Sequence, residues 1–336
     1  MNKLARRTLL AAAGLCIAGG ILFAVGTGLG GMRFLATADL STIGSPNSSR
    51  KLYEMDKTKL DDFSRLEADI TYMDISILPS EDDSCYLSYQ ITGSGAENPF
   101  QYTIQDGTLT LKEDLSAESQ FFVGIDYSFL ARLFTGRVVT DAPDNVSDNL
   151  TLYLPKDKYL DYAAISGGDG DIILRGLQTE QLTLESSYGD LIMSDVNAKS
   201  GSLSLGDGDA QMDTVTTGQM DFDTSYGDVS VNHCSLGTVT FQSSDGDFTS
   251  ENTAYTGNCS FDLSYGSVSF RLDDSQKETL SMDLKTDYGD ISVAEDLPNS
   301  SYTQYEDEDT KSYRKTGSAD AGKVSVYCAD GDISIR

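Results

Sequence analysis

The chain is 336 residues long and carries 53 acidic residues against 24 basic ones, with one His and no Trp. Its net charge is −29, and since Lys3, Arg6 and Arg7 all precede Met32 with no acid among them, the remainder is more acidic still. Phosphate backbones and anionic headgroups are held by Lys and Arg, so a surface of this sign excludes nucleic acid as a partner.

Residues 1–7 hold the early basic cluster, and 8–31 form an uncharged run from Thr8 to Gly31. That run is long enough to cross a hydrocarbon core of about 30 Å as one helix. Basic residues before it favour a cytoplasmic N-terminus and an extracytoplasmic remainder, which predicts a single-pass protein of the cell membrane. A cleaved signal peptide is the competing reading, because small residues lie near the end of the run, but its length favours an uncleaved anchor. Leu15 before Cys16 spoils a lipoprotein-type site, and Arg6-Arg7 is only a fragment of a twin-arginine signal.

Residues 32–60 read as a linker, small and polar from Ala36 to Lys51 with Pro46 and paired serines. Residues 61–160 read as an N-terminal β region. Alternation runs through Ile70–Ile77 and Tyr86–Ile91, and "YTIQDGTLTL" has the form of a hairpin or a coil corner around Asp106-Gly107. The pattern breaks over 118–136, where Phe122, Ile125, Phe129 and Leu133 fall near helical spacing. A short amphipathic helix there would cap one end of a repeat stack, or else serve as a partner-binding or membrane-surface element.

Residues 161–336 carry a repeat. The stretch "LESSYGDLIM", Leu184–Met193, recurs in variants centred on Gly170, Gly189, Gly208, Gly227, Gly246, Gly266, Gly289 and Gly331. The spacing is 19 residues four times, then 20, 23 and 42; the last predicts two units, one hidden by the charged insertion "YEDEDTKSYRK". Five residues before each glycine stand Ile165, Leu184, Leu203, Phe222, Phe241, Phe261, Leu284 and Val326. Two after it stand Ile172, Leu191, Ala210, Val229, Phe248, Val268, Ile291 and Ile333. The column four after the glycine is apolar except for Ser250. Apolar positions of one parity share a face, so each unit supplies two short strands with an inward apolar side. One unit cannot bury that side alone, whereas stacked units can. The predicted fold class is therefore all-β, a β-solenoid (β-helix or β-roll) of about 19-residue repeats preceded by one transmembrane helix. A meander of antiparallel hairpins is the rival.

Asp follows the glycine in every unit except at Ser267. The residue before it alternates through Asp169, Tyr188, Asp207, Tyr226, Asp245 and Tyr265, then runs Tyr288 and Asp330. Gly-Asp suits a tight turn, in which glycine supplies positive φ and Asp bonds nearby amides. A calcium ladder is the alternative, but calcium takes six to eight oxygens and each unit offers one or two carboxylates. A 19-residue coil would alternate Asp and Tyr along one edge. A 38-residue coil would place Asp over Asp on one edge, inviting a cation.

Catalysis finds little support. His233 stands alone beside Cys234, and no nucleophile–base–acid set assembles; β-helix glycan-cleaving enzymes use Asp clusters but usually also a basic group, and this repeat region is poor in Arg and Lys. Neither catalytic residues, a cofactor nor metal ligands are predicted. Cys85, Cys234, Cys259 and Cys328 follow no disulfide or zinc spacing and read as small buried hydrophobes.

The flanked Gly-rich anchor, "ADITYMDISILPSEDD", "YTIQDGTLTLKED", "LTLYLPKD" and the serial "SYGDLIM", "SYGDVSV", "DYGDISV" and "DGDISIR" carry a family resemblance. The chain resembles the membrane-anchored β-strand-repeat proteins of Gram-positive bacteria labelled "putative adhesin". That resemblance implies an extracytoplasmic repeat module with no catalytic residues, and some members are encoded with envelope-stress regulatory systems. The expected role is an envelope-facing scaffold or adhesion module binding a protein partner or a cell-wall component. An accessory stress regulator acting through a membrane partner, and a divalent-cation-dependent surface binder, are the alternatives.

Overall fold

The computed structural model describes residues 51–93, 97–114, 148–294, 297, 300–304, 309–318 and 321–336. The anchor at 8–31, the linker before residue 51 and the helix expected near 118–136 lie outside the described residues. Among the described residues no helix is long and apolar enough to cross a membrane.

Each 19-residue unit makes one coil of a solenoid. In the unit around Gly189, a long strand Gln178–Ser186 leads through the Gly-Asp corner to a short strand Leu191–Ser194. A second corner then opens the next long strand, Asn197–Leu205. Neighbouring coils pair in parallel with a 19-residue offset, as in Leu184↔Leu203 and Leu191↔Ala210. Long strands thus build one sheet and short strands the other. This settles the coil at 19 residues rather than 38, and excludes the meander, because among the described residues antiparallel pairs occur only toward the two ends of the stack.

The alternating apolar residues of both sheets fill the space between them. Leu184, Leu191, Leu203, Ala210, Phe222 and Val229 are each no more than 2% exposed. Toward the C-terminal end the core becomes aromatic, with ring centroids 4.9 Å apart for Phe241–Phe248 and 4.7 Å for Phe248–Phe261. The polar exception Ser250 is explained here: buried Tyr255 donates its hydroxyl to Ser250 Oγ at 2.6 Å, so both polar atoms are satisfied inside the aromatic cluster.

Both ends of the stack depart from sequence order. The final strands, Lys323–Cys328 and Ile333–Ile335, insert between the Gly266 coil and the coil of Ser281–Thr286 and Ile291–Val293. A short helix, Asp274–Thr279, capped by the Asp273 carboxylate, lies in the connection that passes over that coil position. The 42-residue interval therefore does not hide a coil. Ser300–Gln304 and Lys311–Lys315 instead form an antiparallel pair against Ser281–Thr286, closing that sheet's end.

At the other end, "ITYMDISI" is not one strand. Arg65–Ile70 and Asp74–Pro79 are the two strands of a coil that turns at Thr71–Met73 and stacks on the Gly170 coil. Beyond it lie Thr108–Glu113 in one sheet and Asn149–Leu154 in the other. "YTIQDGTLTL" is a hairpin, with Asp106 at φ 51° and Gly107 at φ 74°. Lys51–Lys59, assigned to the 32–60 linker by composition, is instead an edge strand paired with Tyr86–Gly93. Its run of exposed charges guards that edge against further pairing.

Candidate functional site

The corners form a continuous edge, and their glycines are required for a reason other than φ. Positive φ among described glycines occurs only at Gly107 and Gly176. A Cβ on Gly189, Gly208, Gly227 or Gly266 would stand less than 3.0 Å from the carbonyl oxygen of the glycine one coil back. The expectation of positive φ is therefore corrected: these corners need close backbone approach between coils. The left-handed column sits at the second corner, where Gly176, Asp195, Thr214, His233 and Asn252 recur at 19-residue intervals with φ between 49° and 70°. Lone His233 belongs to that column, exposed, with Nδ1 3.2 Å from Asp213 Oδ1.

The Asp after each glycine is a rung. Asp171 Oδ1 accepts the backbone N–H of Asp190 at 2.9 Å, and Asp190, Asp209 and Asp228 accept from the next coil in the same way. Asp247 accepts from Ser267, whose hydroxyl accepts from Asp332, and Asp332 accepts from Asp290. Each carboxylate thus spends one oxygen on an adjacent coil's amide, a charge-assisted bond that holds the corners in register. Among the described residues no group of three or more His, Cys, Asp or Glu is placed to hold a metal ion.

At the Met73 corner the amides of Thr71 and Tyr72 meet a side chain where other corners offer backbone carbonyls. The Glu113 carboxylate, 8% exposed, takes their place: its Oε2 accepts the amides of Thr71 at 2.6 Å and Tyr72 at 2.8 Å.

The outward column gains its order from the stacking. Asp169 N donates to Thr71 O as Tyr188 N donates to Gly168 O, which puts Tyr72 in the same column as Asp169. At the other end Asp330 stacks on the Tyr265 corner and Tyr288 on Asp330. Along the edge the column therefore reads Tyr72, Asp169, Tyr188, Asp207, Tyr226, Asp245, Tyr265, Asp330, Tyr288, a strict alternation that chain order conceals. Among the described residues, five of the eight exposed large hydrophobic side chains are these tyrosines, at 52–69% exposure, so exposed apolar surface there is concentrated on this edge rather than scattered. Sequence reading missed Tyr72 and Glu113. The available signal was Asp74 following a turn with no glycine in it.

The four described cysteines are free and buried, as expected of small hydrophobes. Burial pushes the Cys234 thiol up to about 11 and those of Cys259 and Cys328 up to about 12.

Fold and edge together define a β-solenoid whose repeated corners build a regular outer line of tyrosines and carboxylates. The chain belongs to the Toastrack DUF4097 family, whose pattern matches residues 63–336. Among solved structures it is similar to a "putative adhesin" from Bacteroides fragilis, at 15% identity and a TM-score of 0.46, covering 86% of this chain and 99% of that one. A "putative cell adhesion protein" from Clostridium sporogenes matches at 10% identity and a TM-score of 0.27, covering 85% and 99%. A "Putative lipid binding protein" from Parabacteroides distasonis matches at 11% and 0.40, covering 86% and 98%. No curated protein matches the chain.

Proposed function

We propose that the protein is a non-enzymatic, membrane-anchored module that presents the long edge of its solenoid to a partner outside the cytoplasm. The observation that carries this reading is the alignment of five exposed tyrosines between carboxylates along one edge. Exposed aromatic surface on an otherwise charged protein marks contact sites. The uncharged run 8–31 behind a basic N-terminus supports the single-pass placement.

Protease treatment of intact cells tests the placement. The repeat region should be degraded from outside while an N-terminal fragment stays with the membrane; full protection of the repeat region overturns it. Glycan cleavage that is lost on replacing the Asp corners would overturn the non-enzymatic reading. The cation-dependent alternative is separated by melting curves with calcium and with chelator. Because every rung carboxylate but Asp290, which is paired with Lys311, already holds an amide, the curves should coincide, and a shift of several degrees would make the edge a cation site.

A further inference from the structure

The alternation fixes a repeat length. Parallel strands lie about 4.8 Å apart, so tyrosines on every second coil recur at roughly 9.6 Å. That spacing exceeds the ring-to-ring range of aromatic pairs, about 4.5–7 Å, so Tyr72, Tyr188, Tyr226, Tyr265 and Tyr288 do not stack on one another and each leaves its ring faces to a partner. Between successive rings lies an outward Asp, and beside every ring but one lies a rung Asp. Lys311, paired with Asp290, is a basic side chain at the far end of this line. The edge is thus an array of aromatic rings at one period inside a field of negative charge.

Three properties select the partner. It must be linear, because the rings lie in a line across nine coils. It must be cationic, because any neutral chain laid over the edge would strip water from carboxylates without replacing it. It must present a group suited to a tyrosine face about every 9.6 Å. A second copy of this chain fails the second condition, since it would oppose carboxylates with carboxylates. An extended β-strand fails the third, because side chains on one face recur at about 6.6–6.8 Å. A polyproline II helix has three residues per turn at about 3.1 Å rise, so one face recurs at about 9.3 Å, close to the two-coil step. It is also stiff before binding and docks on aromatic-lined surfaces elsewhere.

We infer that the tyrosine edge is a docking site for a basic, proline-rich peptide segment in the polyproline II conformation, with one Lys or Arg per turn over each ring. The inference rests on the reading of the protein as a binding module and names the partner class for that module. Each cation meets a tyrosine face and the flanking carboxylates together, and the prolines keep the spacing fixed.

The test uses the full chain in nanodiscs and a peptide of repeating Pro-Pro-Lys. Five repeats place five lysines over about 37 Å, matching the roughly 38 Å from Tyr72 to Tyr288. The protein has no Trp, so tyrosine emission reports binding by a peptide that is itself silent. Binding is expected, weakening with salt. Each Tyr→Ser replacement on the edge should weaken it about threefold, the size of an exposed cation–π contact. Tyr188→Ser with Tyr226→Ser should therefore cost about tenfold, whereas Tyr188→Phe with Tyr226→Phe should retain binding, which separates loss of the ring from loss of the fold. A peptide of the same composition with its lysines in one block should bind more weakly.

Equal binding of the block and repeating peptides would reduce the edge to a simple polyanion and overturn the inference. Binding that ignores the Tyr→Ser changes would do the same. Preference for a neutral β-linked oligosaccharide over the peptide would assign the edge to glycan, overturning the peptide while leaving the module reading intact. Failure of the module reading itself would appear separately, as protection of the repeat region in intact cells.

Discussion

Glu113 shows how a single side chain can stand in for a missing coil. Its carboxylate receives two amides that would otherwise meet the carbonyls of an adjacent corner. Hydrogen bonds to a charged partner contribute about 1.5–3 kcal/mol each, and buried amides left without one carry a desolvation cost. Glu113→Ala should lower stability by about 2–4 kcal/mol in urea unfolding, and Glu113→Gln by clearly less, because an amide oxygen still accepts. Equal losses for the two variants would show that packing, not the acceptor, matters there. The buried thiols give a second expectation at this scale. Cys234, Cys259 and Cys328 keep their protons in the fold well above the ordinary 9.0, because burial disfavours the thiolate. The folded state therefore holds protons that the unfolded chain releases. Their contribution to stability is complete below about pH 9 and is lost as the pH rises toward 11–12. At pH 8 an alkylating reagent should label them only after denaturant is added; labelling of the native protein would contradict their burial.

The coil is the element that the sequence repeats, and its contacts reach only the coils on either side. Stability in such a stack is close to a sum over units and their interfaces. Excising Asp190–Gly208 removes one coil and joins Gly189 to Asp209, so the rung and apolar columns stay aligned. That variant should remain folded, with parallel-sheet circular dichroism and a modestly lower melting temperature. Excising Asp190–Lys199 instead shifts every later column and should leave an unfolded or aggregated chain. The single-coil excision also places Tyr188 next to Tyr226, whereas a two-coil excision, Asp190–Gly227, places Tyr188 before Asp245. Only the second preserves the period that the docking inference needs.

At the scale of the molecule, the two ends are interleaved. The C-terminal strands lie inside the stack, between coils that precede them in the chain. Removing Lys323–Arg336 therefore excises an inner layer: the Gly266 coil and the Ser281–Val293 coil lose their common neighbour, and Ser281–Val293 loses its parallel partner. The truncated protein should show rapid proteolysis throughout 281–318 and a melting temperature lowered by many degrees. Truncation of a terminal coil would cost far less, so a small effect would place the last strands at the end of the stack. Antiparallel strands cap both sheets at the N-terminal end and the long-strand sheet at the other, covering edges that would otherwise recruit other chains.

Periodicity by itself determined the all-β class, the 19-residue unit and the inward columns, because a stacked coil must present an apolar residue at the same place in every turn. Gly189 and its counterparts were legible as corners, but their physical reason was not: whether a glycine answers to φ or to a neighbouring backbone depends on what stands one coil away. Tyr72 and Glu113 were hidden for the same reason, since their corner lacks the glycine and is completed by a residue 41 positions along the chain. The order of the coils was decided only by tertiary structure. Parallel pairing is indifferent to chain order, so the C-terminal strands could enter the stack wherever their apolar faces and rungs fitted. That choice turned a broken Asp–Tyr sequence into an unbroken edge.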